Sequence, residues 1–112
     1  MKKIEGIIRC EKFSYIKDAL ANAGYTSLTT YEVKGRGRQS GIVETVSGKI
    51  VKADLLPKTK IEIVVEDKDV EKVLNVIATT AETGMIGDGK IFVSTIDDVV
   101  RIRTGERGSN AI

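Results

Sequence analysis

The chain is short of the residue types on which many enzymes and metal sites depend. Its 112 residues include no histidine, no tryptophan, one proline and one cysteine. A zinc site and a Ser-His or Cys-His catalytic pair therefore lack their usual components. The single cysteine, Cys10, excludes an intramolecular disulfide and fits a reducing compartment. We expect Cys10 to be a small buried residue at the end of a strand.

Charge, aromatic content and length narrow the function classes further. A net charge of +2 is too small to indicate nucleic-acid binding, and two phenylalanines offer few rings on which bases could stack. No apolar run approaches the roughly 20 residues of a membrane span, so we do not expect a membrane-embedded protein. Residues 1–6 lack the apolar stretch of a secretory signal, which predicts a cytoplasmic location. The length predicts a single domain over 1–112.

Hydrophobic patterning divides the chain into two similar halves. The pattern in each half predicts a strand, a helix and a second strand. A short segment in which apolar and cationic residues alternate follows the second half. The predicted strands span 2–9, 26–34, 60–66, 90–94 and 99–103, and the predicted helices span 11–23 and 67–80. The order βαβ–loop–βαβ is typical of the ferredoxin-like α+β sandwich, a four-stranded antiparallel sheet with both helices on one face.

The sheet face without helices is predicted to carry Glu5, Ile7, Glu62 and Val64. Such a face has too much apolar surface to remain in contact with water, which favours a self-associated oligomer. A monomer with an open sheet is the alternative.

Between the two halves lies a long segment without a clean hydrophobic period. Residues 35–58 contain four glycines and the only proline, Pro57, and the part from 42 to 56 mixes apolar with charged residues. A connection of this length is uncommon in a small domain and usually carries function where it occurs. We therefore expect a working loop in this segment.

Three clusters of cationic residues indicate a site for a phosphate-bearing ligand. Glycine allows backbone N–H groups to approach an anion closely, and arginine supplies a planar fork for phosphate oxygens. Arg101 and Arg103 would point the same way on an extended strand. Any one of the glycine-rich turns is by itself more often a simple tight turn, and the two arginines are equally compatible with a solvated strand face. The clusters are Gly35–Gly41, Thr83–Lys90 and Arg101–Arg103.

None of these clusters matches a nucleotide-hydrolysing motif. The segment 84–90 lacks the Gly-Lys-Ser/Thr ending of a Walker loop, and no GxGxxG opens a helix. Hydrolysis would also need a positioned base or a metal cage. Asp88 and Glu62 are the nearest candidates, but nothing local marks either as a base. We therefore interpret the site as a binding site without catalytic residues.

Several co-linear motifs resemble those of the PII nitrogen-regulatory signal proteins. The resemblance covers essentially the whole chain and needs no insertion or deletion. Its motifs are Met1–Arg9, Glu32–Gln39, Leu56–Lys58, Thr83–Val93 and Val100–Gly105. The resemblance implies a homotrimer of ferredoxin-like subunits with three nucleotide sites in the clefts between neighbours, where ATP and ADP compete.

The resemblance further implies that residues of two subunits hold the phosphates of the nucleotide. The cations would be Arg38 and Lys90 from one subunit and Arg101 and Arg103 from the adjacent one. The backbone of four residues would line the phosphate pocket, namely Gly37, Gly87, Asp88 and Gly89.

The other implied roles concern the base, the metal and a second small ligand. Thr29, Glu62 and Val64 would lie around the base and the ribose. Gln39 would help to hold Mg²⁺ beside ATP. The ligand 2-oxoglutarate would chelate that metal, while Lys58 pairs with one of its carboxylates.

The segment 37–55 corresponds to the flexible T-loop of that family. By the resemblance, Mg-ATP with 2-oxoglutarate would favour one arrangement of the loop and ADP another. The loop would then bind or release a target and so signal nitrogen and energy status without enzymatic activity. An ammonium transporter is the first choice of target. The alternative is nitrogenase or glutamine synthetase, as in the nitrogen-fixation-linked branch.

Two positions in this segment depart from the family pattern. Val51 stands where uridylylated members have a tyrosine, so that modification is chemically impossible here. Ser47 stands where transporter-blocking members usually have an arginine. Two further function classes remain open, a weak ATPase that uses Asp88 and a structural oligomer whose loop binds a partner without nucleotide.

Overall fold

The computed structural model describes residues 1–36, 42–46, 49–53 and 55–112. Within these ranges the strands are β1 Lys2–Ile8, β2 Thr29–Gly35, β3 Ile42–Val46, β4 Lys49–Ala53, β5 Leu56–Val65 and β6 Gly89–Thr95. The helices are α1 Phe13–Asn22, between β1 and β2, and α2 Val70–Ala81, between β5 and β6. Short 3-10 turns lie at Cys10–Lys12, Asp67–Asp69 and Gly108–Ala111.

Four of the strands form one antiparallel sheet in the order β2-β5-β1-β6. The strand β1 lies inside the sheet and pairs along its whole length with β5 on one side and β6 on the other. Both helices pack on one face of this sheet, where their buried side chains join those of β1 and β5. The arrangement confirms the predicted ferredoxin-like α+β sandwich.

The hydrophobic core lies between the two helices and the sheet. Alternate residues of β1 and β5 turn inward because side chains along a strand point to opposite faces in turn. Each helix contributes residues three or four positions apart, which share one side of a helix. The buried side chains are Ile4, Ile8, Ile16, Leu20, Ile61, Ile63, Val65, Val73, Ile77 and Ala81.

Both helices begin later than predicted because a 3-10 turn precedes each of them. Helix α1 begins at Phe13 and α2 at Val70. Helix α1 ends at Asn22, and Gly24 closes it, because a φ of +98° lets the Tyr25 N–H donate to the Leu20 carbonyl at 2.8 Å. Among the described residues, no helix has both the length and the apolar character to cross a membrane.

The prediction of a strand over 99–103 is wrong. Val100 forms only an isolated bridge with Arg107, and residues 102–104 form a turn. Gly105, with a φ of +73°, donates its N–H to the Arg101 carbonyl at 2.7 Å and so reverses the chain. The alternation of apolar and cationic residues here belongs to an exposed turn, in which the side chain of Ile102 is 99% exposed.

The long segment between the two halves also differs from its prediction. It contains a two-stranded hairpin in which β3 pairs with β4, and β5 begins already at Leu56. Of the predicted T-loop 37–55, residues 37–41, 47, 48 and 54 lie outside the described residues. Cys10 is exposed rather than buried, because it opens the 3-10 turn after β1 instead of occupying the end of the strand.

The sheet face without helices carries the residues predicted for it. Glu5, Ile7, Glu62 and Val64 alternate with the core residues of β1 and β5, and each is partly exposed. We call this surface the open face of the sheet. Its outer strands add two aromatic side chains, Tyr31 in β2, which is 40% exposed, and Phe92 in β6, which is 53% exposed. The open face therefore combines charged side chains with apolar surface.

Charges in the middle of the open face compensate one another. Lys3 lies 2.7 Å from Glu5, and Lys60 lies 3.4 Å from Glu5 and 3.3 Å from Glu62. The hydrogen bond from Lys3 lowers the pKa of Glu5, and the hydrogen bond to Glu62 raises the pKa of Lys60. The Lys60 ammonium also lies 5.0 Å from the centre of the Tyr31 ring. These contacts run across three neighbouring strands.

We predict that Ile77→Ala lowers the free energy of unfolding by about 2–5 kcal/mol, because it leaves a cavity in the core. The side chain of Ile77 is fully buried, whereas Asn75 on the same helix is exposed. Urea unfolding measures the change, with Asn75→Ala as the control. A loss for Ile77→Ala no larger than that of the control would contradict this account of the core.

Candidate functional site

Five of the predicted site residues share the open face of the sheet. Residues paired across antiparallel strands point to the same face, so the strand register decides their placement. Thr29 lies opposite Glu62, and Ile7 lies opposite Lys60 on one side and Lys90 on the other. Even-numbered residues of β5 share the face of Glu62. The five residues are Thr29, Lys58, Glu62, Val64 and Lys90.

The loop between α2 and β6 is folded around the carboxylate of Asp88. We call residues 83–88 the Asp88 loop. One carboxylate oxygen accepts the backbone N–H groups of Thr83 at 2.8 Å and Gly84 at 3.0 Å. The other accepts the Thr83 hydroxyl and the Arg9 Nε, the latter at 3.0 Å. These donors, led by the Thr83 hydroxyl, hold the pKa of Asp88 well below its ordinary value.

Two cations connect the Asp88 loop to the sheet. Arg9, directly after β1, also donates a hydrogen bond from a second guanidinium nitrogen to the Ile86 carbonyl, at 2.7 Å. Lys58 in β5 donates its Nζ to the Gly87 carbonyl at 2.5 Å. Both side chains are partly buried. The loop is therefore fixed against the open face of β5 and the end of β1, where it can present its backbone to a ligand.

Gly89 allows β6 to begin directly beside β1. Its φ is +105°, and a Cβ atom added there would lie 1.7 Å from the carbonyl oxygen of Ile7. Only glycine can occupy this position, because a Cβ atom would clash with the backbone of β1, which cannot move aside. The close approach brings the next residue, Lys90, into register with Ile7 on the open face.

The structure does not join the other predicted residues to this group. Arg101 contacts the Glu106 carboxylate and the Ile112 carbonyl, each at 3.4 Å, and no hydrogen bond among the described residues links Arg101 or Arg103 to the Asp88 loop. The remaining predictions fall on positions outside the described residues, namely Gly37, Arg38 and Gln39.

Arg9 and Thr83 are structural members of the site that the sequence analysis did not single out. Thr83 and Asp88 are five residues apart, and a hydroxyl residue facing an aspartate across a glycine-containing turn is a local signal for such a hydrogen bond. Arg9 is 79 residues from Asp88 and carries no local signal. Only the pairing of β1 with β6 brings the two together.

The described residues offer no metal cage of their own. No group of three or more His, Cys, Asp or Glu side chains within them could hold a metal ion.

These features define a class, a ferredoxin-like α+β domain with a glycine-containing loop and cationic side chains at one end of an open sheet. The family model described as Nitrogen regulatory protein P-II matches residues 1–106. The chain is 57% identical over all of its length to nitrogen regulatory protein P-II 2 of Methanothermobacter thermautotrophicus, of which it covers 97%. It is 51% identical to nitrogen regulatory protein P-II of Azospirillum brasilense and 49% identical to that of Rhizobium meliloti, with both chains covered completely in each case.

The chain belongs to the nitrogen regulatory protein P-II family. The match extends over both halves of the fold and includes the Asp88 loop and the C-terminal arginines. It confirms the family to which the sequence motifs pointed.

We predict that Asp88→Asn loosens the Asp88 loop, because an amide has one acceptor oxygen where the carboxylate has two. The amides of Thr83 and Gly84 should exchange with solvent about tenfold faster or more, as measured by NMR hydrogen exchange. The folded-state pKa of Asp88 lies below the ordinary value of 3.8. The carboxylate's contribution is therefore complete above that value and is lost as the pH falls below it.

Protection of these two amides in the unsubstituted protein should thus decline only below about pH 4, and Asp88→Asn should abolish that decline. Asp97→Asn, at an exposed position, is the matched control. Unchanged protection in Asp88→Asn would show that the carboxylate does not organise the loop.

Proposed function

We propose that this protein binds ATP and ADP at the open face beside the Asp88 loop. We further propose that, with Mg²⁺ and 2-oxoglutarate, it signals nitrogen and energy status to a target without catalysing a reaction. The observation that carries the proposal is that five predicted residues lie on one sheet face next to the Asp88 loop, namely Thr29, Lys58, Glu62, Val64 and Lys90. These residues come from three strands and converge only in the fold.

The chemistry of the loop suits a polyphosphate. Arg9 and backbone N–H groups compensate the Asp88 carboxylate, so its charge does not oppose an approaching anion. The ion pairs among the described residues do not include Lys90, which leaves its ammonium available for a phosphate. Glycine at 87 and 89 lets the backbone approach phosphate oxygens closely.

The open face beyond the loop suits a nucleoside. Glu62 and Thr29 are directly opposite each other on β5 and β2, and Val64 follows Glu62 on the same face. A carboxylate and a hydroxyl can bind the polar edge of a base or the ribose hydroxyls, while Val64 packs against the ring. The site would therefore distinguish a nucleotide from inorganic phosphate.

Arg101 and Arg103 would reach the phosphates from an adjacent subunit. Within one subunit they make no bond to the Asp88 loop, and they stand on an exposed turn whose Ile102 side chain is 99% exposed. Ile102 and the exposed Phe92 of the open face both offer apolar surface to a second copy. We therefore propose a homotrimer with a nucleotide site in each cleft between subunits.

Lys58 would be the protein's cation for 2-oxoglutarate. Its Nζ lies at the Asp88 loop, 2.5 Å from the Gly87 carbonyl, and so beside the phosphate position proposed above. Mg²⁺, which prefers oxygen ligands and binds phosphates, would lie between ATP and 2-oxoglutarate, with Gln39 as a protein ligand. The two carboxylates of 2-oxoglutarate would then meet the metal and Lys58.

The ligands would act on the target through the segment 37–55. A ligand shifts a conformational equilibrium only by its difference in affinity for the two states. ATP with 2-oxoglutarate and ADP would differ in this way, since only the former involves Gln39 and Lys58. The proposed target is an ammonium transporter at the inner face of the membrane, which three equivalent loops could contact together.

The state of the two candidate bases supports binding without turnover. Asp88 accepts four hydrogen bonds, and its lowered pKa makes it a weak base. Glu62 forms an ion pair with Lys60 at 3.3 Å. Both carboxylates are thus engaged by partners within the fold, which supports a site that binds without catalysis.

Calorimetry with ATP tests the proposal. We predict that Arg103→Ala raises the dissociation constant for ATP about 10- to 100-fold, because a charged hydrogen bond to phosphate is lost. The melting temperature should not change, since Arg103 is exposed. Lys17→Ala, on the exposed side of α1, removes the same charge and is the control. The absence of binding heat at micromolar protein, or a monomeric mass in solution, would contradict the nucleotide site.

We predict that Lys58→Gln weakens 2-oxoglutarate binding in the presence of Mg-ATP at least tenfold and changes ADP affinity less than about twofold. The amide keeps a donor for the Gly87 carbonyl but loses the charge that would pair with a carboxylate. Calorimetry measures both ligands, with Lys68→Gln in the exposed turn before α2 as the charge-matched control. An equal loss for ADP and 2-oxoglutarate would contradict the assignment of Lys58.

A further inference from the structure

Arg101 and Arg103 stand on a small hairpin after β6. We call residues 98–108 the C-terminal hairpin. Its two sides are joined by the bridge between Val100 and Arg107 and by short backbone hydrogen bonds. These bonds run from Gly108 N–H to the Val99 carbonyl at 2.9 Å, from Arg101 N–H to the Glu106 carbonyl at 2.9 Å and from Gly105 N–H to the Arg101 carbonyl at 2.7 Å.

Asp98 closes the base of this hairpin. One of its carboxylate oxygens accepts the Arg107 Nε at 2.8 Å and a second guanidinium nitrogen of the same side chain. The other accepts the backbone N–H of Val99 at 2.8 Å. These bonds, with the Arg107 guanidinium the largest contributor, lower the pKa of Asp98. The carboxylate thus holds both sides of the hairpin at once.

The arrangement repeats that of the Asp88 loop. In each case an aspartate joins backbone N–H, two groups at Asp88 and one at Asp98, to the guanidinium of an arginine, and the segment so fixed carries groups proposed to meet phosphate. An exposed ion pair by itself adds little stability, and Asp98 and Arg107 are 39% and 68% exposed. Their bonds should therefore affect the shape of the hairpin more than the stability of the domain.

We infer that Asp98 and Arg107 are positioning residues for nucleotide binding, which hold the hairpin turn so that Arg101 and Arg103 meet the phosphates together. The inference rests on the proposed nucleotide site. Neither residue would touch the nucleotide. Fixing the backbone of the turn in advance lowers the cost in conformational freedom that binding would otherwise pay to order this segment.

The first test compares two ligands in the variants Asp98→Asn and Arg107→Gln. Each should raise the ATP dissociation constant about three- to tenfold. Binding of adenosine, which has no phosphate, should stay within twofold of that of the unsubstituted protein. Asp97→Asn is the matched control, because it makes the same charge change at the adjacent exposed residue, whose side chain makes no hydrogen bond to the described hairpin.

The second test places Asp98→Asn in an Arg101→Ala/Arg103→Ala background. If Asp98 acts through these arginines, its substitution should cause no further loss of ATP affinity there. The amides of Arg101 and Gly108 should also exchange faster in Asp98→Asn, at an unchanged melting temperature, because both close hydrogen bonds of the hairpin.

The outcomes separate this inference from the proposed function. Three results would overturn the positioning role alone. They are a full additional loss of ATP affinity in the double-arginine background, a loss of adenosine binding equal to that of ATP, and an ATP affinity in Asp98→Asn equal to that of Asp97→Asn. Failure of the unsubstituted protein to bind ATP would overturn the nucleotide site and the positioning role together.

Discussion

The site depends on the hydrogen bonds that converge on the Asp88 carboxylate. Donors from the loop itself and from Arg9 fix the turn between α2 and β6 relative to the centre of the sheet. Arg9 follows β1 directly, and β1 pairs with β6, so the shape of the loop and the register of the two strands support each other. The Asp88 charge is also compensated in this way, which leaves the surface beside Lys90 attractive to an anion.

The fold separates cations that form ion pairs within the sheet from cations that remain available to bind a ligand. Lys3 and Lys60 alternate with two glutamates across the middle of the open face, so their charges are balanced within the sheet. Lys90, a cation proposed to meet the phosphates, lies at the margin of this face and takes part in none of the ion pairs among the described residues. A polyphosphate carries several negative charges, and a site for it needs cations that the fold has not already neutralised.

Periodicity predicted those parts of the structure that bury one side of a strand or helix. The alternation in β1 and β5 and the helical spacing in α1 and α2 predicted the sandwich and the open face, because burial imposes these periods. The β3–β4 hairpin was not predicted, since Ile42–Val46 and Lys49–Ala53 lie outside the four-stranded sheet. The alternation at 99–103 was misleading because a turn held by Gly105 exposes apolar and cationic residues alike. Arg9 was missed because its partner is distant in sequence.

The contact between Gly89 and Ile7 has a consequence for how mutational data on this protein should be interpreted. Any side chain at position 89 would collide with backbone, so every substitution there would be harmful in a library of variants, whether or not the variants were ever exposed to a nucleotide. Intolerance at that position reports on assembly of the sheet. The neighbouring Lys90 is exposed, so its tolerance of other side chains would report mainly on its charge and on its place in the strand.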